Sequence, residues 1–103
     1  MKLSYIVPVY NVEAYLDKCL QSLYNQSLEL VDFEVVIIND GSSDNSLKII
    51  EKYRSLYQNI TLIDQENHGL SVARNNGIGQ AKGDYILCVD SDDFLITDSI
   101  SNL

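Results

Sequence analysis

Short apolar runs alternate along the chain with stretches whose apolar residues recur at helical spacing. This alternation restricts the fold more than any other feature of the 103 residues. The runs are LSYIVPVY, FEVVIIND, NITLIDQ and DYILCVDSDD. Between them, NVEAYLDKCLQSLYNQS sets Val12, Tyr15, Leu16, Cys19, Leu20 and Leu23 at helical spacing. GSSDNSLKIIEKYRSLY gives a turn and a second amphipathic helix, and LSVARNNGIGQAKG reads as a third. The order is βαβαβαβ, which folds as a parallel sheet with right-handed crossovers. The second run is continuously apolar at its centre, as expected of a strand covered on both faces. The length suits one domain with one modest core.

Several local signals sharpen the boundaries. Pro8 is expected to end the first strand, Asn11 to cap the first helix, and Gly83 to stop the third. Glu13, in the first turn, suits the positive end of the first helix. Gly77 and Gly79 lie within the third helical stretch, where each costs about 1 kcal/mol relative to alanine. Either the helix packs closely on the sheet or on a ligand, or it ends early, near Asn76. Cys19 and Cys88 form no CxxC and read as small core hydrophobes in a reducing compartment. The start of the chain has too short an apolar stretch for a signal peptide, and no run of about 18 apolar residues exists, so a cytoplasmic protein without a membrane span is expected.

Ligands of such sheets bind at the carboxyl ends of the strands, where the strand order reverses. That rule gathers four segments on one edge: PVYN, NDGSSD, the loop ENHG and DSDD. The net charge is −8, which argues against non-specific binding to nucleic acid or anionic membranes. Its simplest role is solubility; a more specific one is that clustered carboxylates hold a cation.

DSDD places Asp90, Asp92 and Asp93 within four residues at a strand end. Two carboxylates about 5 Å apart repel by roughly 3 kcal/mol at an effective dielectric of about 20. A shared proton or a bound cation relieves that repulsion. A hard divalent ion such as Mg²⁺ or Mn²⁺ is held by one or two carboxylates, with substrate phosphates completing its shell. A diphosphate is then the natural substrate class. The competing reading is that Asp92 and Asp93 cap a helix starting at Phe94. A calcium loop of the EF-hand kind is excluded, because Phe94 and Leu95 stand where an oxygen ligand and a glycine are required.

Asp40 ends the second strand before a glycine turn, where its carboxylate can accept from a base N–H or a ribose hydroxyl, or serve only the turn. PVYNVEA contains no glycine, which excludes the dinucleotide fingerprint G-x-G-x-x-G after the first strand. Tyr10 either stacks on a base or lies on the rim of the core. Arg74 suits bidentate contact with phosphate, or lies on a solvated helix face. His68 is the only histidine and has no partner that would make it a base or a metal ligand.

IVPVYNVEAYLDKCLQSLYNQS, EVVIINDGSSDNS, NHGLSVARNNGI and GDYILCVDSDD together resemble, in order and spacing, the successive motifs of family 2 glycosyltransferases. The resemblance covers nearly the whole chain. It implies a Rossmann-like nucleotide-diphospho-sugar transferase (GT-A) fold, here as a truncated parallel βαβαβαβ sheet with flanking helices. Carried over residue by residue, Pro8, Val9 and Tyr10 line the base pocket, with Tyr10 against the uracil or other base. Glu13 lies near the ribose or base, Asp40 takes the base N–H, and Gly69, Arg74 and Asn75 flank the nucleotide. Asp90, Ser91 and Asp92 form the D-x-D element. Asp92 is the metal ligand, with Asp90 or Asp93 near the ribose or as a second metal contact. The implied reaction transfers a sugar from a nucleotide diphosphate, UDP favoured, to an acceptor hydroxyl with inversion, using Mn²⁺ or Mg²⁺. Surface polysaccharide synthesis is the implied setting, at the inner face of the membrane for a longer protein.

Family members continue past the D-x-D element into an acceptor-binding half with a catalytic base. No acidic residue after DSDD serves that role here; Asp98 is too close in sequence. Residues 1–103 therefore read as a single donor-binding subdomain whose acceptor half is missing, inactive alone, with the base expected downstream of Leu103. Self-association through an exposed sheet edge is expected. The alternative is a non-catalytic nucleotide-sugar-binding domain. A response-regulator receiver or a haloacid-dehalogenase-type phosphatase needs acids after the first strand, and a nucleotidylyltransferase needs a glycine-rich basic loop there; PVYN offers neither.

Overall fold

The computed structural model of the chain describes residues 2–95. Within them, strands and helices alternate as β1 (Leu3–Val9), α1 (Glu13–Tyr24), β2 (Phe33–Asp40), α2 (Ser46–Leu56), β3 (Ile60–Gln65), α3 (Leu70–Gln80) and β4 (Tyr85–Cys88). The sheet order is β3-β2-β1-β4, and every pairing is parallel. Leu3 lies opposite Phe33 of β2 and Tyr85 of β4. The direction of strand addition reverses between β1 and β4, which fixes the switch point there.

The central strands β1 and β2 are buried along their entire lengths. Alternate residues face two layers. Leu3, Tyr5, Val7 and Val9 join Phe33, Val35 and Ile37 beneath α1 and α2, with Leu16, Cys19, Leu20, Leu23, Ile50 and Tyr53 from those helices. Ile6, Val36 and Ile38 meet Ala73 of α3 on the opposite face. Each large apolar side chain buried in this way contributes about 1.5–3 kcal/mol.

Pro8 does not end β1. It lies opposite Ile38 in the β1–β2 register. Val89 N–H donates to the Ile6 carbonyl, so even-numbered β1 residues present their backbone polar groups to β4. The β1–β4 ladder stops at Ile6 and Cys88, so the N–H that Pro8 lacks has no strand to meet.

α3 runs to Gln80 and does not end near Asn76. A Cβ at Gly77 would lie 2.5 Å from Ile38 Cδ1 and 2.7 Å from Ile6 Cγ2. Gly77 is thus what lets α3 lie close on β1 and β2. A Cβ at Gly79 would meet nothing within 4 Å, so that glycine has no packing role here. Gly83 is not the helix stop, because Ala81 is the C-cap. A Cβ at Gly83 would come within 2.7 Å of the Leu3–Ser4 backbone. The same turn is held by buried Glu34, whose Oε2 accepts from Ser4 Oγ and Lys82 N–H, each at 2.6 Å.

The two cysteines part company. Cys19 is buried, whereas Cys88 is exposed on β4, the outer strand, and is not a core residue. Among the described residues no helix is long and apolar enough to cross a membrane.

Candidate donor site at the strand ends

The four loops at the carboxyl ends of the strands converge, and hydrogen bonds weld two of them before any ligand is considered. Asn11 does not cap α1; Val12 is the N-cap and makes no side-chain cap bond. Asn11 adopts a positive φ of 50°, and its Oδ1 accepts from Ser43 N–H at 2.8 Å and Asp44 N–H at 3.3 Å. The open N-terminus of α1 is capped from the β2–α2 loop instead. Ser42 Oγ accepts from Asn11 N–H, Ser46 Oγ from Val12 N–H and Asp44 Oδ2 from Glu13 N–H, each at 3.1 Å. Asp44 Oδ1 also accepts from Ser46 N–H at 2.9 Å. Burial pushes the Asp44 carboxyl up, but bonds from Ser46 and Glu13 outweigh it and leave the group below the ordinary carboxylate range. The spacing D-G-S-x-D-x-S is therefore that of a cap shared by two helix starts.

Asp40 anchors a third loop. Its Oδ1 accepts from Gln65 Nε2 and His68 N–H, each at 2.9 Å, and its Oδ2 from Gly69 N–H at 3.0 Å. Gln65 accepts in turn from Asn76 Nδ2 of α3 at 2.8 Å. Burial raises the Asp40 carboxyl, and the bonds from His68, Gln65 and Gly69 more than offset it, so it too lies below the usual range. The residue is only 1% exposed, which leaves a base N–H almost no approach while the loop stays in place.

A cavity of about 270 Å³ opens at the switch point between β1 and β4. Pro8, Tyr10 and Val12 come from the end of β1, Leu70 and Arg74 from α3, and Asp90, Ser91 and Asp92 from the end of β4. Six residues expected from the sequence are thus brought together: Pro8, Tyr10, Arg74, Asp90, Ser91 and Asp92. Tyr10 is 43% exposed, so its ring is open to a ligand. Arg74 makes no ion pair among the described residues, which leaves a guanidinium opposite two carboxylates with its donors available.

The other expected residues lie elsewhere. Val9 is fully buried in the core on the α1 and α2 side. Glu13 starts α1 and is exposed, contributing its backbone N–H to the cap. Gly69 and Asn75 flank the cavity's α3 wall without lining it, Gly69 as the N-cap of α3. His68 enters only through its backbone. Val12 and Leu70 line the cavity and were missed, because apolar residues at helix starts read as core. Leu70 carried the one available signal, an apolar residue placed directly after the ENHG loop.

The carboxylates divide in the same way. Asp90 and Asp92 are exposed, and their side chains accept no hydrogen bond among the described residues. Asp93 Oδ1 accepts from Phe94 N–H at 2.9 Å and faces a neighbouring groove with Tyr15, Lys18 and Phe94. A local bond to the next amide thus occupies Asp93 but neither of the other two, and the helix expected from Phe94 onward lies for the most part outside the described residues. No group of three or more His, Cys, Asp or Glu side chains among the described residues converges as a complete metal-ligand set. Two open carboxylates fit a hard ion whose shell is completed by phosphate oxygens, and do not fit an all-protein cage. Beneath them, burial first and then the charges of Asp93, Asp92 and Asp90 push the Cys19 thiol up to about 12, so it stays protonated.

Comparison with known proteins places this geometry. The family model described as Glycosyl transferase family 2 matches residues 4–103. Glycosyltransferase GlyA of Streptococcus pneumoniae serotype 4 is 45% identical over 102 residues, covering 99% of this chain and 14% of that protein. The poly(ribitol-phosphate) beta-N-acetylglucosaminyltransferase TarS of Staphylococcus aureus is 39% identical over 103 residues, or 18% of its length. The crystal structure of TarS with UDP-GlcNAc superposes at a TM-score of 0.91 with 38% identity, covering 99% of this chain and 30% of that one. The mannosyltransferase PcManGT of Pyrobaculum calidifontis, solved with GDP-Man and Mn²⁺, is 23% identical and shares the fold at a TM-score of 0.87, over 94% of this chain and 29% of that one. The architecture is thus the Rossmann-like GT-A one of these glycosyltransferases, and the chain spans about a fifth or less of the length of these two curated relatives. With the family's pattern matched over almost its entire length, the chain belongs to glycosyl transferase family 2.

Proposed function

We propose that this chain is the donor-binding part of a glycosyltransferase that takes a nucleoside-diphosphate sugar, UDP-linked in preference. The observation that carries the reading is the cavity at the β1–β4 switch point, where Tyr10, Arg74, Asp90 and Asp92 meet. Tyr10 stacks on the base. Arg74 pairs with a diphosphate oxygen, for which its planar fork is suited. Asp92, with Asp90 as second contact, would hold Mn²⁺ or Mg²⁺ there, and Ser91 lies between them in sequence. The bound ion would offset negative charge on the departing diphosphate. Asp40 and Gly69 shape the rim through the loop they share, and Asp40 keeps one acceptor position on Oδ2 for a base N–H should the loop open. Glu13 and Asn75 border the nucleotide without enclosing it.

In a longer protein the donor's sugar passes to an acceptor hydroxyl with inversion, and a base beyond residue 103 removes the acceptor proton. The relatives' action on poly(ribitol-phosphate) supports surface polysaccharide as the product class. A thermal-shift panel of UDP-, GDP- and dTDP-sugars, with and without Mn²⁺, tests the reading. UDP-sugars are expected to raise the melting temperature most, and by more with Mn²⁺ than without it. Equal shifts with and without the ion would remove the metal from the account, and no shift for any nucleotide would remove the donor reading.

A further inference from the structure

Helix α1 grips the acidic segment 90–95 at both ends. At the first end, the Cys19 thiol donates to the Asp90 carbonyl, with Sγ and O 3.7 Å apart. That carbonyl also accepts from Asp93 N–H at 3.0 Å, closing a turn around Ser91 and Asp92. At the last end, Ser22 Oγ accepts from Leu95 N–H at 2.9 Å. Ser22 is one helical turn beyond Cys19, on the same face, and only 7% exposed. Its own hydroxyl proton goes back to the Cys19 carbonyl at 2.6 Å, which turns an oxygen lone pair outward to Leu95. Lys18, the preceding residue, sets its ammonium 3.9 Å from the centre of the Phe94 ring.

Attachment of the segment to the fold does not rest on these contacts alone. Leu95 already packs against the main core, and β4 is already paired to β1 through Cys88. What they do control is the path of the backbone between Asp90 and Leu95. Asp90 and Asp92 repel one another, and their carboxylates have no hydrogen-bond partner among the described residues to hold them. Their direction must come from the backbone beneath, and Cys19 and Ser22 fix that backbone from below.

We propose that Ser22, with Cys19, is a positioning residue that holds the 90–95 segment so that Asp90 and Asp92 face one divalent ion. The proposal rests on the donor reading and adds to it residues of α1 that touch neither nucleotide nor ion. Removing the hydroxyl leaves α1 intact, since alanine is the better helix former. It frees the Leu95 end, and the loss falls on the ion and not on the base.

The test uses the ¹⁵N-labelled full chain as wild type, Ser22→Ala and Ser22→Thr, in two arms. Without ligand, amide hydrogen exchange reads the clamp. Leu95 N–H is protected in the wild type, exchanges about fivefold faster in Ser22→Ala and recovers in Ser22→Thr, while Val89 N–H is unchanged. With ligand, UDP is titrated with and without Mn²⁺. Ser22→Ala lowers the Mn²⁺-dependent gain in affinity about fivefold and leaves the metal-free affinity within about twofold, and Ser22→Thr restores the gain. An unprotected Leu95 amide in the wild type overturns the proposal. So does a Ser22→Ala loss that is equal with and without Mn²⁺, which would mark a general structural role. Wild-type UDP affinity that ignores Mn²⁺ overturns the ion-facing role of Ser22 even if the exchange results hold, whereas a chain that binds no UDP at all removes the donor reading itself.

Discussion

Arg74 is the cation of the cavity, and Asp90 and Asp92 are its anions, none of them paired or hydrogen-bonded through its side chain among the described residues. Groups in that state are available to a ligand, whereas Asp93, Asp44 and Asp40 are already bonded within the chain. The distinction yields a sharp expectation for Asp92→Asn. The substitution keeps the shape and removes one charge, so it should abolish the Mn²⁺-dependent part of UDP affinity, about tenfold or more, and leave the melting temperature of the free chain nearly unchanged or slightly raised. Calorimetric titration with and without the ion checks it, and an affinity that still responds to Mn²⁺ as in the wild type would contradict the assignment. That Tyr10, Asp90 and Asp92 gather at one cavity was legible because they stand at or just past strand ends with chemistry that a core does not need, and Arg74 of α3 because a guanidinium does not suit a core. Val12 and Leu70 were not, because an apolar side chain gives the same signal whether it faces a core or a cavity.

Among the elements, α3 carries its own contrast. Gly77 sits against Ile6 and Ile38, and Gly79 faces open space. Gly77→Ala should therefore destabilise by about 1–3 kcal/mol through overpacking, while Gly79→Ala should stabilise by up to about 1 kcal/mol. Urea unfolding of the two variants decides this, and the same sign for both would show that α3 lies further from the sheet. The alternation of elements was readable from period, since runs buried on both faces cannot be mistaken for loops, whereas the sheet order β3-β2-β1-β4 came only with the fold. The trans caps were not readable either. Ser42, Asp44 and Ser46 lie in a stretch that reads as a turn and a serine cap for α2, and only the fold shows that Asn45 is the cap of α2 and that these three side chains finish α1, a helix some 30 residues away in sequence. Asn11, a good cap by type, is turned into the β2–α2 loop for the same reason.

Asp40 belongs at this scale too, because it joins β2 to the loop before α3. Its folded pKa lies below its ordinary value, so its contribution to stability is present above about pH 4 and is lost as the pH falls through the folded pKa. Asp44 and Asp17 are lowered likewise and steepen the same acid limb. Urea midpoints followed from neutral pH into acid should thus fall for the wild type below about pH 4, and less steeply for Asp40→Asn. Identical acid limbs would mean that Asp40 does not hold the loop as an ionised carboxylate.

For the molecule as a whole, the outer strand β4 is short and has Tyr85, Ile86 and Cys88 exposed, with Tyr85 at 56%. Its far edge is unpaired among the described residues. Such an edge favours pairing with a second copy. Sedimentation of the 103-residue chain should show concentration-dependent association that Ile86→Lys reduces; a monomer at all concentrations would contradict it. The fold needs no ligand to assemble the cavity, because backbone and cap bonds already draw the strand ends together. The most direct test of the donor-site assignment is a crystal of this chain grown with UDP and Mn²⁺, measured for manganese anomalous scattering. The account predicts a peak within coordination distance of an Asp92 oxygen and a diphosphate oxygen, with the uracil against Tyr10. A nucleotide bound away from Tyr10 and Arg74, or a manganese peak away from Asp92, would contradict it.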